Sequence, residues 1–176
     1  MKSIFFGIIV LCFFSTTNTF AQDVALGKVE KNVKTQLNSV LIAYYEIKDA
    51  LVLTDAKATQ TKATNYLASL EKVEQSKLTA IQHTFWKEQK ANLLKVATQI
   101  QQSSDVEVQR QHFETLSDGM WTVMKTFAAN KGVIYKQYCP MAFNDKGASW
   151  LSDRSDIRNP YFGNVMLKCG YVAEEF

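Results

Sequence analysis

Two short segments near the carboxyl end of the chain carry soft sulfur in pairs. One is Tyr138-Cys139-Pro140-Met141 and the other is Met166-Leu167-Lys168-Cys169-Gly170. Thiolate and thioether sulfur select Cu(I) and related soft ions. Met166 and Cys169 are three positions apart, a spacing that on a helix puts both side chains on one face. Cys139 and Met141 are two apart around Pro140, and alternate residues of an extended segment face the same way. Pro140 also stiffens the backbone between them. A short helix folded back on the Cys139 loop would bring two thiolates and two thioethers together. The candidate metal ligands are therefore Cys139, Met141, Met166 and Cys169, with Cu(I) as the expected ion. Tyr138, Phe143, Trp150, Tyr161, Phe162 and Tyr171 are expected to wall the site from water.

The same two cysteines have plainer uses. A Cys139–Cys169 disulfide would close a loop of about thirty residues and contribute about 3–4 kcal/mol by the chain-entropy estimate. The methionines would then fill irregular gaps in a core. Two free, buried thiols are a third arrangement. The residues alone leave all three open.

His83 and His112 are the two histidines. His112 sits beside Phe113 on a helix leading toward the Cys139 loop. It is read either as an auxiliary metal ligand or as a boundary histidine with one hydrogen bond. His83, next to Phe85 and Trp86, reads as structural. The pair does not make the His-Glu-x-x-His pattern of a catalytic zinc helix. No Cys-x-x-Cys redox motif, phosphate-cradling glycine loop or Gly-x-Ser-x-Gly elbow occurs. The expectation is a protein that is not an enzyme.

The sites need a compartment and a scaffold. Residues 1–21 read as a signal peptide: Lys2 is a positive start, Ile4 to Phe14 is an apolar run too short to span a bilayer, and Thr19-Phe20-Ala21 offers a cleavage site. Cys12 falls within it. The expected location is periplasmic or secreted, with no membrane attachment after cleavage. That is an oxidising setting in which a disulfide can persist. The 20 basic and 17 acidic residues are nearly balanced. The lysines are interspersed with Glu, Gln and Thr rather than clustered, so nucleic acid is not an expected partner.

Residues 22–176 are expected to form one domain. Between Val24 and Asn130 there is no proline, and apolar residues recur at helical spacing. Leu26, Val33, Val40 and Ile47 share one heptad position and Leu37, Tyr44 and Leu51 another, predicting a helix over 24–53. A second helix is predicted over 56–74, capped by Asp55 and marked by Ala63, Tyr66, Leu67, Leu70 and Val73. A third runs over 77–102, with Leu78, Ile81, Phe85, Leu93, Ala97 and Ile100 as its apolar face. A fourth covers 106–129, where Val106, Phe113, Met120 and Phe127 repeat every seven residues, with Gln109, Leu116 and Val123 interleaved. Asn130-Lys131-Gly132 should end it. Four helices with short connections predict an all-α fold, an antiparallel up-down four-helix bundle. Residues 132–176 then form a loop-rich, aromatic C-terminal lobe. It contains a short extended piece at Val133-Ile134-Tyr135, a turn at Asn144-Asp145-Lys146-Gly147 and a short helix from Tyr161 to Cys169 behind Asn159-Pro160.

Four motifs in order, Tyr-Cys-Pro-Met-Ala-Phe at 138–143, Gly-Ala-Ser-Trp-Leu-Ser at 147–152, Ile-Arg-Asn-Pro-Tyr-Phe-Gly at 157–163 and Met-Leu-Lys-Cys-Gly at 166–170, carry a resemblance. The chain resembles an uncharacterised secreted bacterial domain family, specifically over 135–172 and more loosely over the helices, where Gln109-Arg110-Gln111-His112-Phe113 is also similar. Members occur alone behind signal peptides or fused to periplasmic adaptor subunits of copper and silver efflux pumps. The resemblance implies metal handling, with such an adaptor or another envelope protein as partner, and assigns no ligand. Cys139-Pro140-Met141 is also similar to short metal-binding modules of heavy-metal transporters.

Overall fold

The computed structural model describes residues 26–176. The signal-peptide reading of residues 1–21, Cys12 included, lies outside the described residues. Four α-helices come first: α1 (Lys31–Val52), α2 (Ala56–Glu71), α3 (Ala80–Gln102) and α4 (Val106–Phe127). Each packs on its neighbour in sequence, and α4 closes back on α1. Three strands follow: β1 (Tyr135–Cys139), β2 (Ala148–Ser152) and β3 (Tyr171–Glu175). They form one antiparallel sheet in the order β2-β1-β3. The protein is thus a mostly helical bundle carrying a small sheet, and the all-α expectation is corrected at its C-terminal end.

The seam of α1 is realised in full. Leu26, Val33, Leu37, Val40, Tyr44, Ile47 and Leu51 are all buried. Each large apolar side chain so placed contributes about 1.5–3 kcal/mol relative to exposure. On α4, Gln109, Phe113, Leu116, Met120, Val123 and Phe127 are buried as their spacing predicts. The helix starts follow their caps. The carboxylate of Asp55 accepts from the Ala58 amide at 2.8 Å, and Asp105 accepts from the Glu107 amide at 2.8 Å. Thr79 and Gln82 form a reciprocal capping box at the head of α3.

Several boundaries differ from the sequence expectation. Helix α1 begins at Lys31, because residues 26–30 run as coil held by Gln82, whose side-chain amide donates to the Leu26 carbonyl at 2.9 Å and the Lys28 carbonyl at 3.3 Å. Helix α4 ends at Ala128, which takes the left-handed conformation (φ 45°) assigned above to Asn130 or Gly132. Helix α3 presents Gln82, Trp86 and Lys90 to the interior, while Ile81, expected on the apolar face, is exposed. Among the described residues, no helix is long and apolar enough to cross a membrane.

The sheet sits on the bundle through β2, which packs on α4. A relay of hydrogen bonds fixes that junction. The Leu151 amide donates to the Tyr44 oxygen at 3.0 Å. Since the Ser117 hydroxyl donates to the Phe113 carbonyl at 2.8 Å, the Tyr44 hydroxyl donates to Ser117, at 2.7 Å. One tyrosine thereby joins α1, α4 and β2, and every polar group in the relay is satisfied. Burial holds the Tyr44 hydroxyl protonated far above the ordinary tyrosine range.

Candidate functional site

Cys139 closes β1 opposite Ala148 of β2. On its other side β1 pairs with β3, with Tyr138 opposite Tyr171. In that antiparallel register, residues just before Tyr171 run alongside Cys139 and Pro140. Cys169 belongs to this stretch, and its sulfur lies 2.9 Å from that of Cys139. Both cysteines are free thiols; Cys139 is completely buried, and Cys169 is partly exposed. Two segments thirty positions apart therefore deliver one thiol from inside the lobe and one from its surface.

The route to this meeting is not the expected one. No helix spans Tyr161 to Cys169. A single 3-10 turn occupies Gly163–Val165, and Met166 leaves it with φ −141°. Gly163 itself has φ +55°, and a side chain there would strike the Thr54 hydroxyl, the Arg110 guanidinium and the Val52 carbonyl. The chain must pass this point in a form that an L-residue helix does not allow. Met166 and Cys169 thus share no helix face, although the Cys169 amide closes a turn onto the Met166 carbonyl at 3.1 Å. Similarly, Ala142–Asp145 is one turn in which Phe143 and Asn144 are left-handed.

Three residues set the position of Cys169. Asn159, fully buried, donates its side-chain amide to the Cys169 carbonyl at 2.8 Å. Its own amide donates to the Leu167 carbonyl, and its side-chain oxygen accepts from the Tyr161 amide at 2.8 Å. Asn159 therefore caps a turn at Tyr161 in place of the expected helix, and it ties that turn to the one over Leu167 and Lys168. Gly170 (φ +134°) lets the backbone approach Tyr138: a Cβ there would sit 2.8 Å from the Tyr138 carbonyl oxygen and 3.0 Å from the Trp150 ring. Arg110, buried on α4, donates from Nε to the Pro160 carbonyl at 2.8 Å and from its outer nitrogen to Leu51 and Thr54. It ties the end of α1 and the Asn159 segment to one guanidinium.

Of the other predicted ligands, Met166 is half-buried just after the 3-10 turn. Met141 is exposed, and its backbone amide faces the Cys169 sulfur. The Cys169 thiol is held above its ordinary range, first by its hydrogen bond with Cys139, then by burial and the neighbouring Cys139 charge, with the Met141 amide opposing. His112 is half-buried on α4, and His83 is exposed on α3. Among the described residues, no group of three or more His, Cys, Asp or Glu side chains is arranged to hold a metal ion. The wall is mixed. Trp150 and Tyr161 are buried, with ring centroids 5.9 Å apart, and Phe143 meets Tyr161 edge-on at 5.2 Å. Tyr171 is exposed and packs on Tyr138 at 5.8 Å. A shallow pocket of about 220 Å³ lies elsewhere, between α1 and residues 130–135, and no sulfur lines it.

Asn159, Gly170 and Arg110 carry no chemistry of their own, so a search for ligands passes over them. The signal that could have found them is their place in the motifs that carry the resemblance: Asn159 at 157–163, Gly170 at 166–170, and Arg110 at 109–113.

No curated protein and no solved structure matches the chain. Residues 40–132, from the middle of α1 through α4, match a family described as a protein of unknown function (DUF3347). The match falls on the helices, where the sequence reading found only a loose likeness, and it covers more than half of the chain: the protein belongs to the DUF3347 family.

Proposed function

We propose that the protein binds a soft metal ion, Cu(I), at the Cys139–Cys169 pair and buffers it or passes it on within the cell envelope. The observation that carries this reading is the 2.9 Å approach of two free thiols, one sheltered and one open to solvent. Two thiolates are the donor set that soft ions prefer. Met141 and Met166 are the supporting thioethers, and His112 the auxiliary ligand. A metal–sulfur bond of about 2.3 Å requires the two sulfurs to move apart as the ion enters. Cys169, on the chain outside the sheet, is the side that yields, because Cys139 is fixed within β1.

Export behind residues 1–21 and a copper or silver efflux adaptor as receiver complete the reading, on the resemblance of the lobe motifs. In the same reading the four helices are an antiparallel up-down bundle that acts as the rigid base of the lobe.

The decisive experiment titrates the fully reduced protein with Cu(I) against a competing chelator. One ion per chain is expected, with binding lost in Cys139→Ser and in Cys169→Ser. Unchanged affinity in both variants overturns the reading.

The same closeness favours a second reading, a disulfide-stapled helical module that docks an envelope partner and holds no metal. The exposed Tyr171 and Val165 on the lobe support it. Mass spectrometry of protein isolated from the periplasm separates the two. A fully oxidised pair resistant to mild reductant supports the staple, and free thiols with copper support the first reading.

A further inference from the structure

We infer that the two thiols form an ordered thiol–disulfide exchange site, in which Cys169 attacks a small disulfide and Cys139 resolves the product. The inference uses no metal and stands apart from the Cu(I) reading. Three observations carry it. The sulfurs are 2.9 Å apart and unbonded. Cys139 has no accessible surface, so an incoming disulfide cannot reach it, whereas Cys169 is partly open. The two sit on different elements, Cys139 in β1 and Cys169 on a segment outside the sheet that Asn159 holds by its carbonyl, so the exposed sulfur can move against a fixed one.

The chemistry runs in two balanced steps. Cys169, the reachable sulfur, must first give up the proton that Cys139 helps it keep, and its thiolate then attacks one sulfur of the incoming disulfide. A Cys169–sulfur bond forms, the original disulfide bond breaks, and the departing thiolate takes up the proton that Cys169 lost. Cys139 then attacks the Cys169 sulfur of this mixed disulfide. The Cys139–Cys169 bond forms and the second small thiolate leaves, protonated at the expense of Cys139. Two protein thiols are oxidised by two electrons, and one small disulfide is reduced to two thiols.

An arrangement without direction predicts equal reactivity of the two cysteines. Burial predicts that they differ, because access governs which sulfur is reached. The probe is glutathione disulfide, added to the reduced full-length chain. Wild-type protein should end as the internal disulfide, two hydrogens lighter, with no lasting adduct. Cys139→Ser should accumulate one stable glutathione adduct on Cys169. Cys169→Ser should react more slowly by on the order of tenfold or more, since its remaining thiol is sealed. Acid quenching of the wild-type reaction at early times, followed by peptide mapping, gives a check that needs no variant: the transient adduct should lie on the peptide bearing Cys169. Adduct first on Cys139, equal rates in the two variants, or a wild-type protein that stops at a mixed disulfide overturns the inference.

Discussion

The guanidinium of Arg110 and the carbonyl of Pro160, fifty positions apart, are joined by a 2.8 Å hydrogen bond inside the protein. Arg110 stands on α4, in the stretch matched by the family, and Pro160 stands in the lobe, beyond it. The same side chain reaches the last turn of α1 through the Leu51 carbonyl and the Thr54 hydroxyl. Helices and lobe are therefore coupled through one buried cation, and the position of Asn159, and with it Cys169, depends on a residue of the bundle.

Replacing Arg110 with Met keeps apolar bulk and removes those donors. Hydrogen bonds to charged groups contribute about 1.5–3 kcal/mol, and the abandoned carbonyls add a desolvation cost, so a loss of about 2–4 kcal/mol is expected. Urea unfolding measures it. A change below about 0.5 kcal/mol, the scale of a neutral surface substitution, would show that the coupling is idle.

Gly170→Ala tests the close approach at the thiol site. The new methyl meets the Tyr138 carbonyl and the Trp150 ring at a positive φ. A cost of about 1–3 kcal/mol is expected from the strained backbone, together with slower closure of the Cys139–Cys169 disulfide. Gly132→Ala is the matched control. Nothing lies within 4 Å of a Cβ there and its φ is ordinary, so it should leave stability and disulfide closure unaltered. Equal behaviour of the two variants would refute the steric argument.

Tyr44→Phe removes the oxygen that accepts from the Leu151 amide and donates to Ser117. A buried amide left without a partner costs about 1–3 kcal/mol. Exchange of the Leu151 amide with deuterium should accelerate as β2 loosens from α4. Protection equal to wild type would mean that packing alone holds the junction.

Burial raises the hydroxyls of Tyr44, Tyr66 and Tyr161 well above the ordinary tyrosine value. The sign of the linkage follows. Above about pH 10 the unfolded chain ionises these groups and the folded chain does not, so the folded state holds more protons and stability falls as pH rises. Below the unfolded value the contribution is fully present. Tm should be flat on this account up to about pH 9 and then decline, and the tyrosinate absorbance reached before unfolding should fall short of that of the unfolded chain by at least the three buried rings. Tyrosinate absorbance from all seven tyrosines at the ordinary pH without unfolding would contradict it.

The thiol of Cys169 is held in its protonated form by Cys139 and by burial. Alkylation by iodoacetamide should therefore be slow at neutral pH and rise later than for an unperturbed thiol, whose value is about 8.5. Cys139→Ser removes the neighbouring thiol and its charge, and should shift the profile to lower pH. A profile identical to that of a free cysteine would remove the proposed interaction.

Periodicity made the bundle legible where one type of contact dominates. The α1 and α4 seams face a continuous apolar core, so spacing alone located Val33, Tyr44, Phe113 and Phe127. It misplaced the head of α3 because Gln82 turns inward to hold the carbonyls of the preceding coil. That contact rotates the helix toward Trp86 and away from Ile81. The sheet was illegible for a related reason: the inward residues of β1 are Gln137 and Cys139, and Gln137, spending its amide on the carbonyls of residues 154–156, does not read as core. The expected convergence of the cysteines followed from the two sulfur-bearing clusters in which they lie. The means did not, since it depends on an antiparallel register and on Gly163 and Gly170, neither of which leaves a periodic trace.

The bond between Tyr44 and Leu151 spans 107 positions, whereas most helix-to-helix contacts join helices that are neighbours in sequence. Nearby contacts form sooner than distant ones, because closing a long loop costs more entropy. The sulfur pair joins positions 30 apart, so the seating of the lobe on the helices, and not the meeting of the two thiols, carries the largest cost of loop closure.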